Sequence, residues 1–372
     1  MDALFPFGFP WPTAMYLTFY VVTAAIYAVF MHYTLAGALV LAIGRLRVLA
    51  HRLASRGPEA KTVSLGLLEH VVEDWLPVML GMTITAGIAP LLFLQILYKQ
   101  SFYTANLLLF HRFMLLLPAL IVAYYMLYLQ KSKKLHARGP WPRAAAVIVV
   151  ALCFGYTAWA WAENHLLSLH REAWGEFYGS GRWFFPDSEL WPRLGYTITA
   201  AFATFALVVG WQLAWGRRGH DQGSLDLAAR QLRLLALLGL FASAFEAILW
   251  YLWLETPAQA ALRSILAMPY GVLVFLGIAV QAACWLPVNG GARLTPRRLA
   301  IATAGAAGTM LGAVVAREVR RLVALDLSGL EESHRQAARV GGMAVFLTFF
   351  LVNALVIAAC VWIVKRDIAP AR

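Results

Sequence analysis

The sequence predicts an all-α integral membrane protein: a polytopic bundle of about nine transmembrane helices in one domain, residues 1–372. Of its 372 residues, 61% are hydrophobic and 13% are charged, which is far more apolar than a soluble domain. Apolar runs of about twenty residues recur along the chain, and at 1.5 Å per residue each crosses a hydrocarbon core about 30 Å thick. We therefore expect the lipid bilayer to surround most of this chain.

Nine apolar runs supply the predicted spans. They cover residues 14–43, 75–98, 107–129, 144–163, 194–215, 232–254, 264–287, 298–316 and 340–364. The first run is of full length and no basic segment precedes it, so we expect it to remain in the protein as a helix rather than to be removed as a signal peptide. The three cysteines lack the CxxCH spacing, which argues against covalently attached haem.

The basic residues predict the orientation. They collect in the connections after odd-numbered spans, as in Arg45 and Arg47 after the first span and Lys133 and Lys134 after the third. Since cytoplasmic connections carry the excess of Lys and Arg, we expect the N-terminus outside and the C-terminus in the cytoplasm. This placement accounts for the net charge of +12, so we expect no nucleic acid partner.

Two polar residues open the third span. His111 lies about one turn inside it from the outer side, and Arg112 follows. A histidine can offer a ring nitrogen to haem iron while an arginine meets the haem propionates. The alternative is an interfacial histidine beside an arginine whose charged end reaches out to the headgroups.

A second histidine, His32, lies well inside the first span. A buried imidazole needs a metal, a haem iron or a hydrogen-bond partner, so iron ligation and helix–helix hydrogen bonding are both open. His32 and His111 are the two candidate metal ligands. They differ in depth by roughly 20 Å at 1.5 Å per residue, so we do not expect them to share one iron. His165, near the outer end of the fourth span, is better placed to pair with His111, or it is a solvated loop residue.

Glu246 is the one acid deep within a span and is the candidate catalytic residue. Because a carboxylate is costly to remove from water, Glu246 must be protonated, paired or in contact with a wet cavity. A role in proton transfer or ligand binding and a purely structural hydrogen bond are both open. Met268 is a candidate thioether ligand or a packing residue.

Two outer connections are long. Residues 164–193 are rich in Trp, Phe and Tyr, which is typical of a segment lying at the membrane interface. Residues 317–339 mix acids with basic residues that include Arg317 and Arg320, and they predict a short polar helix. Arg317, Arg320, Arg112, His111 and His165 form the predicted outer-side group.

The second span carries a resemblance to a known family. Its stretch GMTITAGIA, residues 81–89, resembles the second helix of subunit I of the cytochrome bd quinol oxidases. Shorter similarities lie at Ala14-Met15-Tyr16, at Thr34-Leu35-Ala36-Gly37 and at Ala316-Arg317-Glu318. The chain thus resembles a divergent branch of that family over nearly its whole length, and nine spans with an outer N-terminus agree with it.

The resemblance carries over unevenly to the family's haem ligands. His111 lies near the ligating glutamate of the third helix, and Met268 lies near the ligating methionine of the seventh. Leu17 stands at the place of the first-helix histidine. The fifth-helix histidine is replaced around Gly195-Tyr196, and the eighth-helix glutamate near Met310. Only residues 255–263 stand where the family has its long quinol-binding loop.

The resemblance therefore implies a respiratory electron-transfer subunit of a bacterial cytoplasmic (inner) membrane that binds fewer haems than the family norm. It implies b-type haem, a quinone or quinol, and a second membrane subunit or cytochrome partner. One alternative is a haem-free membrane anchor or scaffold subunit. A proton or small-solute transporter that uses Glu246 is another.

Overall fold

The computed structural model describes residues 9–54, 65–216, 221–286, 295–325, 331–339 and 342–368, and these form helices and connections with no β-strand among them. Eight helices are long and apolar enough to cross a membrane. They are α1 (Trp11–Ala54), α2 (Leu67–Leu97), α4 (Phe110–Gln130), α6 (Pro140–Leu169), α8 (Leu190–Trp215), α9 (Gln222–Trp253), α11 (Met268–Trp285) and α12 (Pro296–Ala324).

Six further α-helices and a 3-10 helix, Arg171–Ala173, complete the described chain. The six α-helices are α3 (Lys99–Leu108), α5 (Lys133–Ala137), α7 (Trp174–Ser180), α10 (Thr256–Leu262), α13 (Glu331–Arg339) and α14 (Gly342–Ile368). A bent pair, Glu331–Arg339 with Ala344–Val356 at 67°, gives a ninth span if it is counted as one. The predicted all-α membrane bundle of about nine spans is confirmed, and its orientation stays a prediction. We call the end where α1 begins the outer end, following that prediction.

Helix α1 lies at the centre of the bundle. It packs against α2, α6, α8 and α12, while α8 pairs with α9 and α11 pairs with α12. Tyr33 of α1 is fully buried, its ring lies 5.4 Å from that of Phe205 in α8, and its hydroxyl donates to Gln212 at 3.1 Å. Since lipid tails are as apolar as leucine, such close packing and interhelical hydrogen bonds hold membrane helices together.

Glycines set the closest helix contacts. A Cβ on Gly239 of α9 would lie 2.8 Å from the carbonyl oxygen of Thr199 in α8, and one on Gly305 of α12 would lie 2.9 Å from that of Gly277 in α11. These contacts are close because neither glycine has a side chain. In α2, Gly87 faces the ring of Tyr27, whereas no atom lies within 4 Å of a Cβ on Gly81.

Ion pairs join the helices at the inner end, and all but Arg47 of their members are buried or half-buried. Arg45 of α1 pairs with Glu73 of α2 at 2.5 Å, Arg47 pairs with Glu69 at 2.6 Å, and Arg143 of α6 reaches Glu73 at 3.4 Å. We call these five residues the inner charge cluster. The cluster links three helices, so it holds the ends of α1, α2 and α6 together.

Several helices extend beyond the predicted spans, and two of these extensions bear on the site. The apolar run of the eighth span ends at residue 316, but α12 continues to Ala324, and the fourth span continues in α6 to Leu169 rather than ending at 163. Polar residues of both extensions find partners inside the protein, such as Glu318 in α12 and Asn164 and His165 in α6, so the helices need not end where their apolar runs do. The short polar helix predicted within residues 317–339 is α13.

Candidate functional site

The last two turns of α12 carry a buried group of charges at the outer end. Glu318 is 1% exposed, Arg320 is 2% exposed and Arg321 is 3% exposed. Arg321 binds both carboxylate oxygens of Glu318 at 3.0 Å. The hydroxyl of Tyr98 donates to the same carboxylate at 2.6 Å. A buried carboxylate is stable when its oxygens are matched in this way.

Tyrosine rings enclose these arginines. The hydroxyl of Tyr20 in α1 accepts from Arg317 at 2.9 Å and from Arg321 at 3.3 Å. The Arg321 guanidinium lies 4.8 Å from the ring centre of Tyr98 and 5.5 Å from that of Tyr20. These are cation–π distances, so two aromatic faces hold the cation in place.

Helix α8 contributes to the same group. Glu189, just before α8, accepts from Arg320 at 3.1 Å and from Arg193 at 3.0 Å. We call the resulting set the outer arginine cluster. It consists of Arg193, Arg317, Arg320, Arg321, Glu189, Glu318 and His165.

His165 joins the cluster from α6. Its Nδ1 lies 2.6 Å from Arg321 Nη2, and it is within electrostatic range of Arg193, Arg317 and Arg320. A guanidinium only donates, so Nδ1 must accept and the proton of the neutral ring lies on Nε2. Iron ligation through Nε2 needs an unprotonated nitrogen there, so this arrangement does not fit His165 as a haem ligand. The predicted pairing of His165 with His111 is not seen.

His32 is engaged through its Nδ1. This atom lies 3.0 Å from the hydroxyl of Thr204, and the same hydroxyl lies 3.2 Å from the carbonyl oxygen of Ala200. A hydroxyl has one proton, so Thr204 donates either to Ala200, with His32 Nδ1 as the donor to Thr204, or to Nδ1 itself. The first arrangement leaves the lone pair on Nε2, as in metal-bound histidines whose second ring nitrogen donates to a neighbour. That arrangement fits an iron ligand, and both arrangements give the helix–helix hydrogen bond that was the alternative for His32.

His111 lies apart from both. Its side chain is exposed on α4, and its contact within the described chain is with the ring of Phe110 at 5.6 Å. His32 faces α8 whereas His111 points out of the bundle, and that the two do not share an iron stays a prediction. A ligand for His111 would have to come from outside the bundle.

Arg112 turns inward, away from its neighbour. It pairs with the buried Glu163 and lies 4.9 Å from the ring centre of Trp159. Glu163 also accepts from the amide of Phe185 at 2.6 Å. Arg112 thus ties α4 to α6 and to the loop after it, and neither a headgroup nor a propionate is needed to match its charge.

Glu246 lies against the start of α8. A Cβ on Gly195 would be 2.8 Å from Glu246 Oε1, so the carboxylate occupies the space that any larger residue at 195 would need. Among the described residues it has no hydrogen bond or ion pair. Met268 at the start of α11 is 53% exposed. The structure does not join either residue to the outer arginine cluster.

A second polar group lies in the outer loop after α6. His170 contacts Glu172 at 2.9 Å and Asp187 at 3.2 Å. The hydrogen bond to Asp187, opposed by burial and supported by Glu172, raises the pKa of His170 from 6.5 to about 9. Burial acts to raise the pKa of Asp187, but its hydrogen bonds with His170 and with the Glu189 amide outweigh that and lower it. This pair fastens the loop next to the outer arginine cluster.

The sequence interpretation missed part of the site. It placed Arg317 and Arg320 on the outer side, in a connection with a short polar helix rather than at the end of a span, and it did not single out Glu163 or Glu189. One signal was present: Arg317, Glu318, Arg320 and Arg321 recur at spacings of three and four residues, which puts charges side by side on a continuing helix. No group of three or more His, Cys, Asp or Glu residues in the described part of the chain could hold a metal ion.

Comparisons with known proteins give a relative in structure alone. No protein-family model matches the chain, and no curated protein matches it. A chain in the structure of bd oxidase from Geobacillus thermodenitrificans has a similar fold, with a TM-score of 0.64 and 14% identity over 96% of this chain and 99% of that one. The chain therefore shares, over nearly its whole length, the fold of a bd oxidase chain.

Proposed function

We propose that the chain is a membrane subunit of a respiratory electron-transfer complex, related to subunit I of the bd oxidases and holding fewer haems than they do. The similarity in fold over 96% of the chain supports this proposal most directly. A shared fold can carry different functions, so the residues must supply the rest of the argument. Quinol or a partner cytochrome would exchange electrons with it in the bacterial cytoplasmic membrane.

Two histidines carry a ring nitrogen that could bind a haem iron. His32 would offer the Nε2 lone pair when Thr204 donates to Ala200, and His111 would offer its exposed ring on α4. A bound b-type haem would supply one-electron transfer. Thr204 fixes the ring of His32 through its hydroxyl, and the carbonyl of Ala200 fixes that hydroxyl in turn.

The experiment is a reduced-minus-oxidised visible spectrum of the purified chain in detergent, with haem quantified as its pyridine haemochrome. We expect a b-type signal that decreases in His32→Ala. The signal should persist in Thr204→Val, with a shifted reduction potential, because that variant keeps the His32 ring and removes its hydrogen-bond partner. Unchanged haem in both His32→Ala and His111→Ala would contradict the proposed ligands.

One observation favours a second function, a haem-free anchor or scaffold subunit. At the position where the resemblance places the fifth-helix histidine stands Gly195, and the Glu246 carboxylate lies against it. That space is filled by protein. Absence of pigment from a preparation that co-purifies with partner subunits, in cells that load a control cytochrome, would favour the scaffold.

A further inference from the structure

We propose that the outer arginine cluster binds an oxyanion, a carboxylate or phosphate group, in direct contact with Arg317 and His165. The first argument is charge. Three of the four guanidinium groups of the cluster form ion pairs, and they share two carboxylates, Glu189 and Glu318. Glu172 and Asp187, which flank His170, lie within electrostatic range of Arg320 and Arg193 but form no ion pair with them in the described structure. Buried charges are stable when they are paired, and this cluster has more cations than anions.

The second argument is hydrogen bonding. Four buried nitrogen atoms of the cluster have no hydrogen-bond partner within the described structure. They are the Nε atoms of Arg317, Arg320 and Arg321, and Nε2 of His165. Each carries a hydrogen, because arginine nitrogens only donate and the contact with Arg321 leaves the His165 proton on Nε2. All four need an acceptor, so a cation does not fit and an oxyanion does.

Arg317 is the most available member. It contacts the Tyr20 hydroxyl and ring but no carboxylate of the described chain. Arg320 and Arg321, by contrast, each hold a glutamate. A guanidinium with its Nε free can present two parallel N–H groups to a carboxylate or phosphate, which is the geometry that arginine uses for these groups.

The position of the cluster allows two sources for the oxyanion. The cluster lies at the outer ends of α1, α6, α8 and α12, where an amphiphile can place its headgroup. A free ion from solution is the other source. The inference does not rest on haem binding, because the same donors are unmatched in a chain without pigment.

The test uses the full purified chain in detergent. Thermal unfolding is measured against inorganic phosphate, and native mass spectrometry follows chains reconstituted with phosphatidylglycerol or with phosphatidylcholine. For a free ion, we expect phosphate to raise the unfolding midpoint. For a headgroup, we expect phosphatidylglycerol to be retained in preference to phosphatidylcholine.

Variants locate the site. Arg317→Gln should reduce the affinity for whichever anion binds the wild-type chain by about tenfold or more, because a hydrogen bond to a charged group is lost. Arg317→Lys should reduce this affinity less, since lysine keeps the positive charge and loses only the two parallel N–H groups of the guanidinium. Arg298→Gln is the control at the other end of the same helix, where Arg298 donates to the carbonyl of Leu286 at 2.7 Å, and it should leave binding unchanged.

Two results would overturn the inference. One is that neither phosphate nor phosphatidylglycerol binds the wild-type chain. The other is that both Arg317→Gln and His165→Ala bind as tightly as wild type. Neither measurement uses a haem signal, so a pigment-free chain that binds phosphate would contradict the haem proposal and leave the oxyanion site standing.

Discussion

The two ends of the bundle hold charge in different ways. In the inner charge cluster three arginines face two glutamates, and the atoms without hydrogen-bond partners there and at adjacent Gln130 are of both kinds: Nε of Arg45 and Arg143, and oxygens of Glu69 and Gln130. In the outer arginine cluster the unmatched atoms are all donors. A cluster that lacks both kinds can complete itself by small side-chain movements. A cluster that lacks only acceptors can be completed by a ligand that supplies them, as we propose for the outer end.

The largest expected effect comes from removing an acid at the outer end. Glu318→Gln leaves Arg321 buried without a carboxylate and should destabilise the protein by about 3–5 kcal/mol. Thermal unfolding in detergent measures the loss. Glu332→Gln is the control, because its pair with Arg335 is exposed. Equal unfolding midpoints for the two variants would show that the ion pair of Glu318 with Arg321 stabilises the protein no more than an exposed pair does.

Removing one arginine from each end sharpens the comparison. Arg45→Gln takes a 2.5 Å partner from Glu73 and should cost about 1.5–3 kcal/mol, the value of a hydrogen bond to a charged group. Arg317→Gln removes a surplus cation and should cost less than about 1 kcal/mol. Denaturation of both variants without added anion is the measurement. A larger loss for Arg317→Gln would mean that the outer end has no surplus charge.

A third change tests whether the inner end can move. A Cβ on Gly44 would lie 2.8 Å from Glu69 Cγ, so Gly44→Ala must displace the side chain that holds Arg47. We expect a loss of about 1–3 kcal/mol, as for other overpacked sites. Gly155→Ala, where no atom lies within 4 Å of the new Cβ, should be neutral or stabilising. No difference between the variants would mean that Glu69 moves freely.

The smallest effect is a pH dependence at the outer loop. Because the pKa of His170 is raised from 6.5 to about 9, its contribution to stability is complete below pH 6.5 and is lost as the pH rises through about 9. The unfolding midpoint of wild type should therefore fall by more between pH 6.5 and 9.5 than that of His170→Gln. An equal fall of the unfolding midpoint with pH in the two proteins would contradict the pairing of His170 with Asp187 and Glu172.

Sequence and structure agree best where hydrophobicity decides. All eight long helices overlap predicted spans, because a run of apolar residues is a property of the chain itself. The site was harder to predict. Arg320 and Arg321 were assigned to the connection after the span, because charged side chains normally end a span. Nothing in the sequence pattern shows that these arginines form ion pairs with Glu189 and Glu318.

The sequence by itself determined the class of the protein, its spans and the position of a polar segment near the outer end. These follow from composition and length, which need no partner. Only the tertiary structure decided that Tyr20, Tyr98, His165 and Glu189 meet the end of α12, and that the ring proton of His165 lies on Nε2. Both depend on which helices pack together, because a buried charge or ring nitrogen is defined by the atoms that it faces.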